Sequence, residues 1–276
     1  MPEGDTIYRS ATSLRRWLGG RTITAARSGV GGLDARRLVG RTVDAVEAQG
    51  KHLLIRFSGD VVLHSHMRMT GSWHVYPTGE RWRRPAGQAR LVLEAGNRTA
   101  VCFNAPVIEL LDTHDERTHP SLRRLGPDVL RPATLVPDVV RARARARAEA
   151  SPTIGELLLD QQVVAGIGNI YRCETLFLCG VHPWAPSTTA GAATIDALVA
   201  TASRIMARNA TGPSGSPVGR DFDAGVDRPW VYRRDGRACR RCGTTVARGI
   251  LGRQARSVYW CPACQPARAG GLASPG

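Results

Sequence analysis

Met1-Pro2-Glu3-Gly4-Asp5 opens the chain with the makings of a main-chain nucleophile. Removal of Met1 would leave Pro2 with a free secondary amine held in a rigid ring. An α-amino group titrates near ~8, below lysine's ~10.4, so a fraction is unprotonated at neutral pH. Such an amine attacks a carbonyl-like carbon and forms an iminium, the covalent logic of a Schiff base. Glu3, one residue on, is placed to move protons on whatever Pro2 attacks. The competing use of the segment is a helix lead-in with Asp5 as N-cap.

Two further sets of residues carry chemistry. Of 38 basic side chains only Lys51 is a lysine. Arginine is planar and permanently charged, whereas lysine is a compact ammonium of adjustable pKa, so the single exception marks a place where arginine would not serve. Cys239, Cys242, Cys261 and Cys264 form a C-x2-C-x18-C-x2-C array. Each C-x2-C pair lets a tight knuckle aim two thiolates at one zinc ion, and the intervening segment is long enough for a hairpin. Disulfides fit poorly with a chain lacking a secretory signal. Cys102, Cys173 and Cys179 read as buried apolar fillers.

The 276 residues suffice for one large domain or two ordinary ones. No apolar run approaches the ~20 residues of a membrane span, so a cytoplasmic, soluble protein is expected. The formal net charge of +15 points to a polyanion as partner, nucleic acid first. An arginine-favouring genome explains Arg in place of Lys, not the excess of positive charge.

These groups need elements to position them. Ile7, Ala11, Leu14 and Leu18 recur at helical spacing, with Gly19-Gly20 as a stop. The positive end of that helix would lie beside Pro2, favouring anions and a neutral amine. Residues 21–112 alternate short apolar runs with turn residues, including a hairpin turn at Gly96-Asn97, and predict a β-sandwich packed with the first helix. Pro127 to Pro152 reads as a hinge with little core material, its Arg141, Arg143, Arg145 and Arg147 on a solvated helix. Helical spacing returns at Ile154, Leu157 and Leu158, then after Gly166-Ile167-Gly168-Asn169. A turn of small residues between helices resembles helix-turn-helix elements, and the Asn169 end offers backbone amides to a phosphate. Residues 211–226 read as a mobile loop and 266–276 as a disordered tail.

Taken in order, these residues resemble the formamidopyrimidine-DNA glycosylase/endonuclease VIII family of base-excision repair enzymes. The resemblance covers roughly residues 2–265. It rests on the Pro-Glu-Gly-Asp start, Gly50-Lys51-His52-Leu53-Leu54, His66-Met67-Arg68-Met69-Thr70-Gly71, Leu159-Asp160-Gln161 through Gly168-Asn169-Ile170-Tyr171-Arg172, and Val258-Tyr259-Trp260-Cys261. The Pro-Glu-Gly opening looks like the endonuclease VIII branch. Two features differ from that branch: Arg68-Met69-Thr70 stands where a Gln-Leu-Tyr wedge is familiar and leans toward the Met-based wedge of the oxidised-purine branch, and Asp5 replaces a common second proline.

The resemblance implies an α+β fold: a catalytic β-sandwich domain with a helix at 1–130, a hinge at 131–152, a helix-two-turns-helix DNA-binding domain at 153–225, a four-cysteine zinc finger at 226–265, and a tail. It implies a monomeric enzyme acting on damaged DNA, with oxidised pyrimidines as the expected lesions. The damaged nucleotide is extruded from the stack, at roughly a few kcal/mol. Pro2 attacks the sugar C1′ and displaces the base, Glu3 supplies protons, and Lys51 binds the adjacent phosphate and assists base release. Successive β- and δ-elimination cut the strand on both sides of the sugar, and the single zinc ion is structural. Asn169 and Arg256 match phosphate-gripping positions, and Met69 matches a residue that wedges into the gap left by the flipped base. A zinc-ribbon DNA-binding protein without catalysis would account for the charge and the four cysteines, but not for Pro2, Glu3 and the lone Lys51. An oxidised-purine glycosylase on the same scaffold is the nearer alternative.

Overall fold

The computed structural model describes residues 2–212 and 228–267. Met1 lies outside them, as do the loop read at 211–226 beyond Gly212 and the tail beyond Ala267. The chain divides into two compact units, Met1–Arg124 and Leu125–Gly276.

The first unit begins with helix α1 (Gly4–Leu18), whose Ile7, Ala11, Leu14 and Leu18 are buried. Glu3 caps it rather than Asp5: the Glu3 carbonyl accepts from the amides of Thr6 at 2.9 Å and Ile7 at 3.1 Å. Asp5 instead occupies the first turn, where a carboxylate complements the helix dipole. Eight strands follow: β1 (Ala25–Ser28), β2 (Val43–Gln49), β3 (His52–Phe57), β4 (Val61–His66), β5 (Ser72–Pro77), β6 (Ala89–Ala95), β7 (Arg98–Phe103) and β8 (Val107–Leu111). They form two antiparallel sheets, ordered β1-β6-β7-β5 and β2-β3-β4-β8. Ala95 pairs with Arg98 across the Gly96-Asn97 turn, as the sequence predicts. Leu53, Ile55 and Leu63 of one sheet and Leu91, Leu93 and Cys102 of the other share a core with α1. The result is a sandwich closed by a helix. A short helix α2 (Thr113–Thr118), capped by Asp112, packs on β4 and β8.

The second unit holds α3 (Pro137–Arg147), α4 (Ile154–Leu157), α5 (Asn169–Leu178), α6 (Ala192–Thr211) and the hairpin of β9 (Ala247–Leu251) and β10 (Arg256–Trp260). The segment expected to carry little core material contributes Val140 and Ala144 to the helical core. Three of its four helix arginines are tied down: Arg141 pairs with Asp138 and Asp196, Arg143 donates to the Gln162 carbonyl, and Arg147 meets Asp160 at 2.8 Å, while Arg145 is exposed as expected. A second cluster packs Cys173 and Phe177 of α5 under Val231, Val246, Val258 and Trp260 of the C-terminal hairpin region. Cys102 and Cys173 are fully buried, whereas Cys179 is only partly buried.

Candidate active site and nucleic-acid interface

In the first unit the direction of α1 decides what meets its N-terminal end. Gly20, just past the helix, donates to the Val43 carbonyl at 2.8 Å, and Arg15, one turn earlier, donates to the Val46 carbonyl at 3.1 Å through Nε. Helix and strand β2 therefore run antiparallel. Fifteen helical residues span ~22 Å. The seven steps from Val43 to Gly50 span ~23 Å. The end of α1 bearing Pro2 and Glu3 thus falls at the level of the Gly50–Lys51 turn. Glu3 is fully buried and Pro2 half-buried. Lys51, half-exposed, joins β2 to β3 through Gly50, whose φ of 58° lies in the left-handed region.

Met69 stands at the tip of the β4–β5 turn and is 64% exposed, while Met67 beside it is core. Gly71 closes this turn by donating to the Met67 carbonyl at 2.8 Å. A Cβ at Gly71 would come within 2.7 Å of that oxygen and 3.0 Å of the Ala105 Cα, so only glycine fits. The turn holds Met69 outward, and Thr70 anchors its far side on the Asn104 carbonyl at 3.2 Å.

In the second unit the segment between α4 and α5 is stapled by its own side chains. Asp160 accepts from the Gln162 amide, Arg147 and Ser151, and Gln161 bonds Gly166, Leu159 and Ile167. This sets Gly168-Asn169 at the head of α5. Asn169 is 8% exposed, and its amide donates to the Ser257 carbonyl at 2.9 Å. Its Oδ1 is buried with no hydrogen-bond partner among the described residues, a rare state for a native polar atom. Arg256, the neighbour of Ser257, is held by Gln254 at 2.8 Å and borders a depression of about 340 Å³ that Arg147, Arg172 and Arg253 also line. Gln254 does not stand out in the sequence, and Arg147 and Arg172 carry no local sign that they share a depression with Arg256.

The four cysteines meet. Cys242 Sγ lies 3.4 Å from Cys261 and 3.5 Å from Cys264, and Cys239 lies 3.9 Å from Cys264. Thiolates 2.3 Å from a tetrahedral ion sit roughly 3.7 Å apart, so the set fits a metal of zinc's size. The two knuckles are closed by Gly243 donating to the Cys239 carbonyl and Gln265 to the Cys261 carbonyl. Glu174 of α5, also unremarked in the sequence, is fully buried and accepts the amides of Trp230, Val231 and Tyr232 at 2.7, 3.1 and 2.8 Å. It fastens the entrance of the cysteine region to the helix.

The formamidopyrimidine-DNA glycosylase N-terminal domain model matches residues 1–106, and the H2TH domain model of the same enzyme matches 125–217. The chain belongs to the formamidopyrimidine-DNA glycosylase/endonuclease 8 family. That makes it an enzyme of the DNA glycosylase and abasic-site lyase class of base-excision repair. It is 41% identical over 268 residues to the probable endonuclease 8 2 of Streptomyces coelicolor, covering 96% of this chain and 94% of that one. It is 40% identical to endonuclease 8 2 of Mycobacterium tuberculosis and 36% identical to endonuclease 8 of Escherichia coli, in each case across 96% of this chain and all of the relative. Its fold matches that of Lactococcus lactis Fpg, solved in complex with DNA containing an abasic site, with a TM-score of 0.80 at 21% identity over 96% of this chain and all of that one. Among the described residues no helix is long and apolar enough to cross a membrane.

Proposed function

We propose that the protein removes oxidised bases, pyrimidines foremost, from DNA through a Schiff base at Pro2 and then cleaves the strand by β- and δ-elimination. The observation that supports this most is the level match between the N-terminal end of α1 and the Lys51 turn, which puts an amine, a buried carboxylate and the only lysine at one end of the sandwich. Pro2 nitrogen bonds to C1′ as the C1′–base bond breaks, and the base leaves with a proton. Glu3 moves protons at the sugar and the departing base, and Lys51 holds the adjacent phosphate. Loss of a C2′ proton then expels the 3′ phosphate, and a second elimination expels the 5′ phosphate.

Met69, exposed on a rigid turn, is the wedge that fills the gap in the stack. Asn169 and Arg256 grip backbone phosphates, the former from the head of α5, where helix amides point at an anion, the latter from the hairpin. Cys239, Cys242, Cys261 and Cys264 would hold one zinc ion, which stabilises the hairpin and takes no part in the chemistry. Damaged DNA is the partner, met by a single chain in the cytoplasm. The endonuclease 8 names of relatives at 36–41% identity favour the pyrimidine reading over an oxidised-purine one.

Borohydride trapping on oligonucleotides bearing oxidised pyrimidines, oxidised purines or an abasic site tests this directly. The adduct should map to Pro2. A residue retained before Pro2 turns the amine into an amide with a delocalised lone pair, so a protein with an uncleaved tag should bind DNA and form no adduct. Mapping of the adduct to Lys51, or full lyase activity with the terminus blocked, would falsify the assignment.

A further inference from the structure

Four of the chain's seven histidines gather on one face of the β2-β3-β4-β8 sheet, opposite the sandwich core. Register makes this happen. His52 pairs with His66 across β3 and β4, Leu54 pairs with His64, and His64 pairs with Glu109 across β4 and β8. His119, one residue past α2, completes the group: its ring lies 5.2 Å from that of His64.

The partners assign every proton in this group. His119 Nδ1 accepts from the amides of Ser121 and Leu122 at 3.3 and 3.4 Å, so its proton is on Nε2, which faces Glu109 Oε1 at 3.1 Å. A carboxylate only accepts, so His64 Nδ1, 2.7 Å from the same oxygen, carries the proton there. His64 Nε2 is then a lone pair, and His52 Nδ1 donates to it at 2.8 Å. His52 Nε2 is left bare. His66 Nδ1 accepts from the Arg68 amide at 3.1 Å, and its ring stands edge-on to His52 at 4.7 Å. Burial, helped by the neighbouring rings, pushes the His52 pKa down to about 2, and burial with Arg68 pushes His66 down to about 4. Both rings are neutral at physiological pH, and the charge of Lys51 is among the causes for each.

His64, Glu109 and His119 also have ligand atoms within 4.8 Å of one another, the spacing of a metal site. The tautomers argue against an ion there: a ligating His119 would need its lone pair on Nε2, whereas the Ser121 and Leu122 amides already claim Nδ1 as acceptor. Protons, not a metal, join the three groups.

We propose that His52 is a positioning residue for Lys51. The Glu109–His64 relay fixes the His52 ring as a neutral acceptor at the first residue of β3, and so fixes the strand end that carries the lysine. The proposal rests on the reading of Lys51 as a working residue of the glycosylase, and its test includes a measurement that does not need activity. Because Lys51 is the only lysine, protein labelled with side-chain ¹⁵N-lysine gives a single Nζ resonance.

His64→Leu removes both bonds of the relay, whereas His64→Gln keeps a donor toward Glu109 and an acceptor for His52. In His64→Leu the Nζ resonance should shift, and kcat for base excision should fall about 10- to 100-fold, the scale expected of a small displacement of a working group, with KM and DNA affinity little changed. His64→Gln should restore both. Glu109→Leu, at a side chain 38% exposed, provides the same comparison where the buried leucine fails to fold. An unmoved Nζ resonance in the leucine variants, or a glutamine variant as impaired as the leucine one, overturns the positioning role. If the wild type were inert on every lesion, the glycosylase reading would fall, and the Nζ comparison would decide the positioning role alone.

Discussion

The side-chain amide of Asn169 donates to the carbonyl of Ser257, the residue that follows Arg256. A helix head and a hairpin strand distant in sequence are thereby held by one bond, with Arg172 adding a second to the same oxygen at 3.0 Å. The two residues proposed to grip phosphates are therefore placed by a shared carbonyl. Arg256→Ala should weaken binding of all lesions alike, because phosphate contacts carry little sequence information, and the salt dependence should become shallower by about one unit of log–log slope. Asn169→Ala should weaken binding too and loosen the placement of Arg256. Nitrocellulose or anisotropy titrations over a salt series check both; an effect confined to one lesion with an unchanged slope would mean that Arg256 reads the base.

Cys261→Ser removes one of four thiolates from a hairpin whose Val246, Val258 and Trp260 pack on Cys173 and Phe177 of α5, so the loss falls on the cysteine end. Metal content should drop from one equivalent toward none, and DNA binding should fall with it as Arg256 loses its support. Elemental analysis together with binding measures this. Full activity in the serine variant, or no zinc in the wild type, would count against the structural metal.

Lys51→Arg keeps the charge but replaces a compact ammonium with a planar fork on a tight turn. Excision of damaged bases should fall severely, with cleavage of preformed abasic sites less affected. Parallel assays on the two substrates give the ratio. Equal losses, or none, would remove Lys51 from base release.

Glu174 makes stability depend on pH. Burial pushes its carboxyl up to about 7 from an ordinary 4.5, against three amide donors that favour the charged form. Between those values the folded chain holds a proton that the unfolded chain has released, so stability falls as pH rises from about 4.5 to about 7 and then levels off. Glu174→Gln should flatten that slope and lower stability overall, since one amide oxygen cannot serve three donors as two carboxylate oxygens do. Denaturant unfolding at pH 5 and pH 7.5 would show it, and an unchanged difference between the two would reject the assignment.

What the sequence disclosed was local chemistry. Pro2-Glu3 and the cysteine pairs stand out as candidates through neighbours a few residues away, and Lys51 through being the single lysine among 38 basic residues. The sequence places the cap of α1 two residues too late: Asp5 has the right side chain, but the first bonded carbonyl belongs to Glu3. The segment around α3 looks poor in core from sequence because Val140 and Ala144 are small apolar positions set among alternating arginines. Glu174 gives no sequence signal, and the His64-x-His66 alternation places only those two histidines on one strand face, without His52, Glu109 or His119. Their partners come from strand register and helix packing, which bring residue 52 beside 64 and residue 174 beside 230.

The three amides that Glu174 gathers bear on how freely such a protein can be rearranged. A chain cut before residue 228 would keep a buried acid while losing all three of its donors, and would uncover Phe177, against which Trp230 stacks at 5.4 Å. The cysteine hairpin is thus no detachable cassette. Exchanging it for a hairpin from another scaffold would require bringing the stretch from Trp230 to Tyr232 along with it, or replacing Glu174 by an apolar residue in the same step.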